Sequence, residues 1–282
     1  MQNRDYGSTG RKLSILGFGG IIVTNVTESE AAEYVGEAVD RGVNYFDVAP
    51  SYGNAQERLG PALQPYRNDV FLACKTGKRD AAGARQELEE SLRLLKTDHV
   101  DLYQLHGLTS KEDVAQVFGP GGAMELFVEA RKAGKVRHLG FSAHSVDAAL
   151  SALAQFQFDS ILFPLNYVTY EIADFGHQVL QEAVKRGTAR LALKAMARRP
   201  WNDGDPAHNE YPKCWYEPHA DRTEAALALQ YTLSLPITAA IPPGDIRLFR
   251  MAMDIAESYA PLSEEETAHL LTLARQEKPI FG

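Results

Sequence analysis

Only two cysteines, Cys74 and Cys214, occur in 282 residues. That is too few for a disulfide framework, and their separation matches no metal-site spacing. No stretch approaches the roughly 18 uninterrupted apolar residues that read as a membrane span. The nearest, "ALALQYTLSLPITAAI", is broken by Gln230, Thr232 and Pro236. The opening residues, "MQNRDYGSTGRKLS", contain no apolar run of signal-peptide length, so a cytoplasmic location is expected. Positive charge is not in excess either. Against 37 Asp and Glu stand 29 Lys and Arg, a formal net charge of −8. No global field therefore draws nucleic acid or an anionic membrane, although a local basic pocket is still permitted. Linkers and low-complexity tracts are missing. So is the Gly-x-Gly-x-x-Gly fingerprint of an open dinucleotide-binding sheet, because "GFGGIIVTN" has no third glycine opening a helix.

What is present is a regular alternation. Apolar residues make up 45% and charged residues 23%, ordinary values for a soluble globular chain. Length alone permits one large domain or two. Eight apolar, strand-like runs follow one another: "LSILGFGG", "VNYFDVA", "VFLACKTG", "HVDLYQLHG", "VRHLGFSAH", "SILFPLN", "ARLALKAM" and "ITAAIPP". Amphipathic stretches such as "SEAAEYVGEAVDRG", "ARQELEESLRLL" and "HQVLQEAVKRG" lie between them. Thr27 with Glu30, and Ser263 with Glu266, have the spacing of capping boxes, while Gly42, Gly134 and Gly187 stand where helices should end. Near-continuous apolar strands alternating with helices predict a parallel sheet covered by helices. Eight units favour an α/β fold of the (β/α)₈ TIM-barrel type, as a single domain over residues 1–282. "YGSTGRKLS" is expected to be one side of a hairpin closing the barrel floor.

In such a barrel, chemistry collects at the C-terminal ends of the strands. The polar residues at successive exits are Asp47, Lys75, His106, Ser142, Asn166 and Lys194. Tyr52 follows Asp47 in a loop, ahead of a helix that Asn54 could cap with Glu57 at its third position. Each has an ordinary structural reading: an Asp bonding loop amides, a packed Tyr, a Lys at an exposed strand end, a satisfied core His. Together they place four titratable groups in one cup. A buried Lys⁺ beside a tyrosine favours phenolate and lowers a pKa that is otherwise near ~10, while a carboxylate keeps the lysine charged. A histidine in reach can orient a carbonyl or complete proton transfer. With neither a nucleophile–base pair nor a metal cage, the set suits an acid aimed at a carbonyl oxygen during hydride reduction.

The segments "NYFDVAPSYGNAQERLG", "LACKTG", "VDLYQLHG" and "GFSAH" resemble those of the aldo-keto reductase superfamily, and the likeness covers nearly the whole chain. It is closest to short bacterial-type members that lack a cysteine-rich iron–sulfur extension, since the sequence ends at "QEKPIFG". The resemblance implies a catalytic set of Asp47, Tyr52, Lys75 and His106. It implies NADPH as cofactor, with NADH possible, and a small-molecule carbonyl substrate. Ser142 and Asn166 match family positions that hold the nicotinamide carboxamide, with Ala143 replacing the usual Asn and His144 beside it. Lys194-Ala195-Met196 stands where an aromatic often stacks on the nicotinamide, so Lys194 and Met196 are candidate contacts. At the adenosine end Arg250 matches an arginine near the 2′-phosphate, with Arg247 as a spare and Asp254 replacing an adenine-reading Asn. Gly244-Asp245 departs from the usual phosphate ligands, and Asp245 is expected to repel a phosphate.

Residues 198–222, the longest irregular stretch, are expected to form a lid over the substrate pocket. His208, Cys214 and His219 fit no standard metal site, and no metal is expected. Two other function classes stay open. One is a cofactor-binding regulatory protein of the same fold with little turnover; the other is Schiff-base chemistry at Lys75 or Lys194. Oligomeric state cannot be read from the sequence.

Overall fold

The computed structural model describes residues 1–282. All eight strand-like runs form strands: β1 (Gly17–Gly19), β2 (Tyr45–Asp47), β3 (Phe71–Thr76), β4 (Val100–Leu108), β5 (Val136–Ala143), β6 (Ser160–Pro164), β7 (Ala189–Leu193) and β8 (Ala239–Ile241). They pair in sequence order as parallel neighbours. A parallel bridge between Leu16 and Ala240 brings the last strand back to the first, giving the expected (β/α)₈ barrel. Strands this short suffice because each is flanked on both sides and covered by a helix.

Alternation along the strands separates two apolar layers. One face of each strand packs on the surrounding helices and contributes to a cluster of 62 buried residues. The other face fills the barrel with a separate cluster of 11, including Tyr6, Tyr45, Phe71, Leu102, Leu162, Leu191 and Ile241. The predicted hairpin exists: Asn3–Asp5 pairs antiparallel with Lys12–Ser14. It delivers Tyr6 to the barrel floor, where its ring lies 4.9 Å from Phe71 and 5.3 Å from His138. Gly17 has its own reason. A Cβ there would sit 2.4 Å from the Tyr45 ring, so only glycine lets that tyrosine stand inside the barrel.

Both capping boxes close as the sequence indicated, at Thr27–Glu30 and Ser263–Glu266. Gly42, Gly134 and Gly187 all adopt left-handed φ just beyond helix ends. The Asn54 cap does not form; its Oδ1 instead accepts from the Asn25 N–H at 2.8 Å, tying two loops together. Residues 198–222, expected to be irregular, carry regular structure. Ala197–Pro200 pairs with Tyr216–Pro218 as an antiparallel ribbon, with a short 3₁₀ turn at Pro206–Glu210 between them. Lys213 Nζ donates to the Ile22 carbonyl at 2.8 Å, so this excursion reaches the loop after β1.

At the floor side, buried Asp101 accepts from Arg67 at 3.0 Å, from Arg137 at 2.6 Å and from the Leu72 N–H at 3.0 Å. Removing a buried partner strands the others. Asp101→Ala is therefore expected to cost about 3 kcal/mol, read as a lower urea midpoint with an unchanged slope.

Candidate active site

The inward face of the strands turns polar at the top of the barrel. Tyr45 and Asp47 share that face on β2, Ala73 and Lys75 on β3, and Leu102, Gln104 and His106 on β4. Lys75 and Gln104 are register partners. Asp47 and Lys75 are both buried, and their side chains form an ion pair. The other carboxylate oxygen of Asp47 accepts from Gln104 Nε2 at 3.0 Å and from the Tyr45 hydroxyl at 3.2 Å. Burial pulls the Lys75 ammonium toward deprotonation most strongly, but Asp47, with Tyr52 and Cys74 adding to it, more than offsets this and holds the pKa above the ordinary lysine value. Lys75 is charged at neutral pH. Gln104 and Tyr45 were not anticipated, although alternation two residues from His106 and Asp47 marks both.

Tyr52 departs from its expected chemistry. Lys75 Nζ lies 5.3 Å from its ring centroid and pulls its pKa down. Burial of the phenol is the larger effect, Asp47 adds to it, and the net shift is upward. The expected lowering fails because burying the phenol disfavours phenolate more than Lys75 favours it, and the nearby Asp47 carboxylate adds to that. Tyr52 is thus fully protonated at neutral pH, the state a proton donor needs.

His106 meets Tyr52 edge-on, with ring centroids 5.8 Å apart and an interplanar angle of 84°. A register shift between Leu105 and Leu108, with Gly107 at φ +62°, breaks the regular strand at this histidine. Arg79 fixes that bend by donating to the carbonyls of His106 and Gly107, each at 3.0 Å. The Gly107 N–H donates to Ser142 Oγ at 2.8 Å. Burial first, then Lys75 and His144, push the His106 pKa down to about 3, and burial takes His144 to about 4. Both rings are neutral at physiological pH.

A cavity of about 230 Å³ is lined by Asp47, Tyr52, Lys75, His106, Ser142 and Lys194, and also by His144, Lys213, Trp215 and Tyr216. The structure therefore brings together six of the expected site residues. The remaining five are not among its lining residues. Asn166 uses Oδ1 to cap Tyr167–Ile172, accepting from the Val168 and Thr169 N–H groups, and its buried Nδ2 has no partner. Met196, expected beside a nicotinamide, is wholly buried in the core between sheet and helices and is not among the cavity-lining residues. Arg250 is paired with Glu33 and Glu37, Arg247 with Asp245, and Asp254 with Arg41 and Arg222. None of these three borders the cavity. Asp245 also caps the helix Ile246–Glu257, and its charge is met by Arg247, so it is not the free repulsive carboxylate expected. Gly244 lets this turn press against the loop after β1, since a Cβ there would sit 2.3 Å from Ile21.

His106 and His144 have folded-state pKa values below the ordinary value of 6.5. Between those values the unfolded chain binds protons that the folded one refuses, so stability falls as pH drops from about 6.5 toward about 3. Imidazole NMR signals of both residues should stay unshifted from pH 8 to pH 5. A midpoint near 6.5 for either would contradict this burial.

Comparison with known proteins gives a consistent picture. The Aldo/keto reductase family model matches residues 15–204. The chain is 25% identical, over 310 aligned positions, to "Uncharacterized oxidoreductase YqkF" of Bacillus subtilis, covering 98% of each. It is 31% identical over 196 residues to "Aldo-keto reductase YhdN" of the same organism, covering 62% of this chain and 56% of that one. With "L-galactose dehydrogenase" of Arabidopsis thaliana the figures are 29% over 188 residues, 61% and 57%. The holo form of an aldo-keto reductase from Bacillus halodurans superposes with a TM-score of 0.73 at 24% identity, covering 97% of this chain and 96% of that one, a likeness of fold.

Proposed function

The chain belongs to the Aldo/keto reductase family, and we propose that it reduces an aldehyde or ketone to the alcohol with NADPH, Tyr52 being the proton donor. The observation that carries this reading is the buried Lys75–Asp47 pair beneath a protonated phenol and a neutral imidazole, all on one cavity. Aldo/keto reductases use nicotinamide cofactors, which when bound supply hydride to the carbonyl carbon. The residues present fit the amide of such a group. Ser142 has accepted from Gly107 and keeps its own proton to donate, Asn166 Nδ2 is a buried donor without a partner, and Gln104 Oε1 a buried acceptor without one.

In the proposed reaction neutral His106 donates a hydrogen bond to the carbonyl oxygen and holds it against Tyr52. Tyr52 passes its hydroxyl proton to that oxygen as negative charge develops there. Lys75 stabilises the phenolate left behind, and Asp47, anchored by Gln104 and Tyr45, keeps Lys75 charged between turnovers. Tyr52→Phe should lower kcat by about 10²–10⁴-fold, typical for loss of a general acid, with the cofactor still bound. Near-full turnover in that variant would remove Tyr52 from the mechanism.

Arg250 is the proposed reader of the 2′-phosphate, with Arg247 beside it and Asp254 toward the adenine. Guanidinium groups meet phosphate bidentately. Because Arg250 holds Glu33 and Glu37 in this structure, the phosphate has to displace a carboxylate. NADPH selectivity should accordingly be modest. Fluorescence titration should show NADPH binding more tightly than NADH in the native protein, and Arg250→Gln should erase the difference. Equal binding of both cofactors before mutation would leave NADH as an equal partner and Arg250 as a surface ion-pair residue.

A further inference from the structure

Three lysines line the cavity, and two have compensation. Lys75 is paired with Asp47, and Lys213 donates to the Ile22 carbonyl with Asp245 and Glu30 nearby in the field. Lys194 has neither. Its ammonium makes no hydrogen bond and no ion pair in the protein, and rests 4.9 Å from the Trp215 ring centroid and 5.1 Å from that of Tyr216. Lys194 is also held in a left-handed backbone conformation, φ +68°, that residues other than glycine rarely adopt. Strain of this kind persists only where the surroundings over-determine it, and it clusters at ligand sites.

We propose that Lys194 is the substrate-specificity residue of this cavity, binding the carboxylate of a small oxo-acid whose aldehyde or ketone carbon lies against Tyr52 and His106. The proposal rests on the reductase reading above and names its substrate class.

Several observations converge on it. An ammonium without a counter-charge in a partly dry pocket is costly until an anion arrives. Burial first, with Lys75 adding to it and Cys214 opposing, takes the Lys194 pKa down to about 8, so it remains largely charged at neutral pH but keeps little of its usual hydration advantage. Its field reaches His106 and His144, lowering both, so an anion held there shares the cavity with the histidine proposed to orient the carbonyl. The cavity's only acid, Asp47, is already matched by Lys75, which leaves the pocket positive inside a chain of net charge −8. Volume sets the size of the ligand. About 230 Å³ is below the ~300–1,000 Å³ usual for ligand pockets, which suits a few carbons between carbonyl and carboxylate. One ammonium point charge matches one carboxylate, and the flanking Trp215 and Tyr216 rings offer the short chain an apolar wall.

The test uses the full-length protein with cofactor and a matched set of probes: 4-oxobutanoate, its methyl ester, and butanal. The native protein should prefer the acid, and Lys194→Gln should lower kcat/KM for the acid at least about tenfold, as loss of one partner of a desolvated charge pair does. The ester and butanal should fall several-fold less than the acid, so that the acid-to-ester ratio collapses. Lys194→Arg should restore part of the preference. Butanedioate, which cannot be reduced, should raise the melting temperature of the native protein but not of Lys194→Gln, so anion binding is read even if no carbonyl is turned over. Absence of turnover on every probe with that thermal shift present would defeat the reductase reading alone. The proposal is overturned if acid and ester fall together, if the variant loses cofactor affinity instead, or if the native protein favours the ester. It is equally overturned if borohydride traps the aldehyde covalently on Lys194, which would make that amine a nucleophile.

Discussion

The buried pair of Lys75 and Asp47 is the constraint around which the upper half of the barrel is organised. Two charges taken out of water are tolerated only when their remaining lone pairs and protons are satisfied. Here the second carboxylate oxygen takes two hydrogen bonds, from Gln104 on β4 and Tyr45 on β2, and the ammonium also faces the Val48 carbonyl at 3.4 Å. Those partners impose further demands. Tyr45 can stand inside the barrel only because Gly17 leaves the space, and Gln104 must share the register of Lys75. A single polar pair thereby specifies residues on four adjacent strands.

The same pair explains the protonation pattern above it. Burial keeps the proton on Tyr52 against the pull of Lys75, and Asp47 adds to burial, so Tyr52 is not driven to phenolate. His106, with no carboxylate of its own and a positive neighbour, is kept neutral. A protonated phenol and an uncharged imidazole are the states required for donating a proton and a hydrogen bond to a carbonyl oxygen. Loop geometry completes the arrangement, since the bend at His106–Gly107 depends on Arg79 from a different βα unit.

Much of the fold was legible because a barrel strand leaves a simple trace: a short apolar run, a polar residue at its exit, then a helical pattern closed by glycine. Ser263 and Thr27 marked their helices for the same local reason, a side chain reaching an amide three residues on. Asn54 failed because a long-range partner, the Asn25 amide, competed for its side chain. The burial of Met196 could not be read either, because its neighbourhood in sequence says nothing about which side of the sheet it faces once the chain turns at Lys194. The ribbon within residues 198–222 left no signal at all, its pairing being made between segments well apart in the chain.

The sequence by itself determined the eight-fold alternation, the helix boundaries and the identity of the polar residues at the strand exits, because those depend on periodicity and on contacts within a few residues. Only the tertiary structure decided their charge states and partners. Whether Tyr52 is acidic, whether Arg250 is free or held by Glu33 and Glu37, and whether Lys194 finds a counter-ion all depend on distances between elements far apart in the chain. Electrostatic energies follow burial and separation in space, and neither is written in the order of the residues.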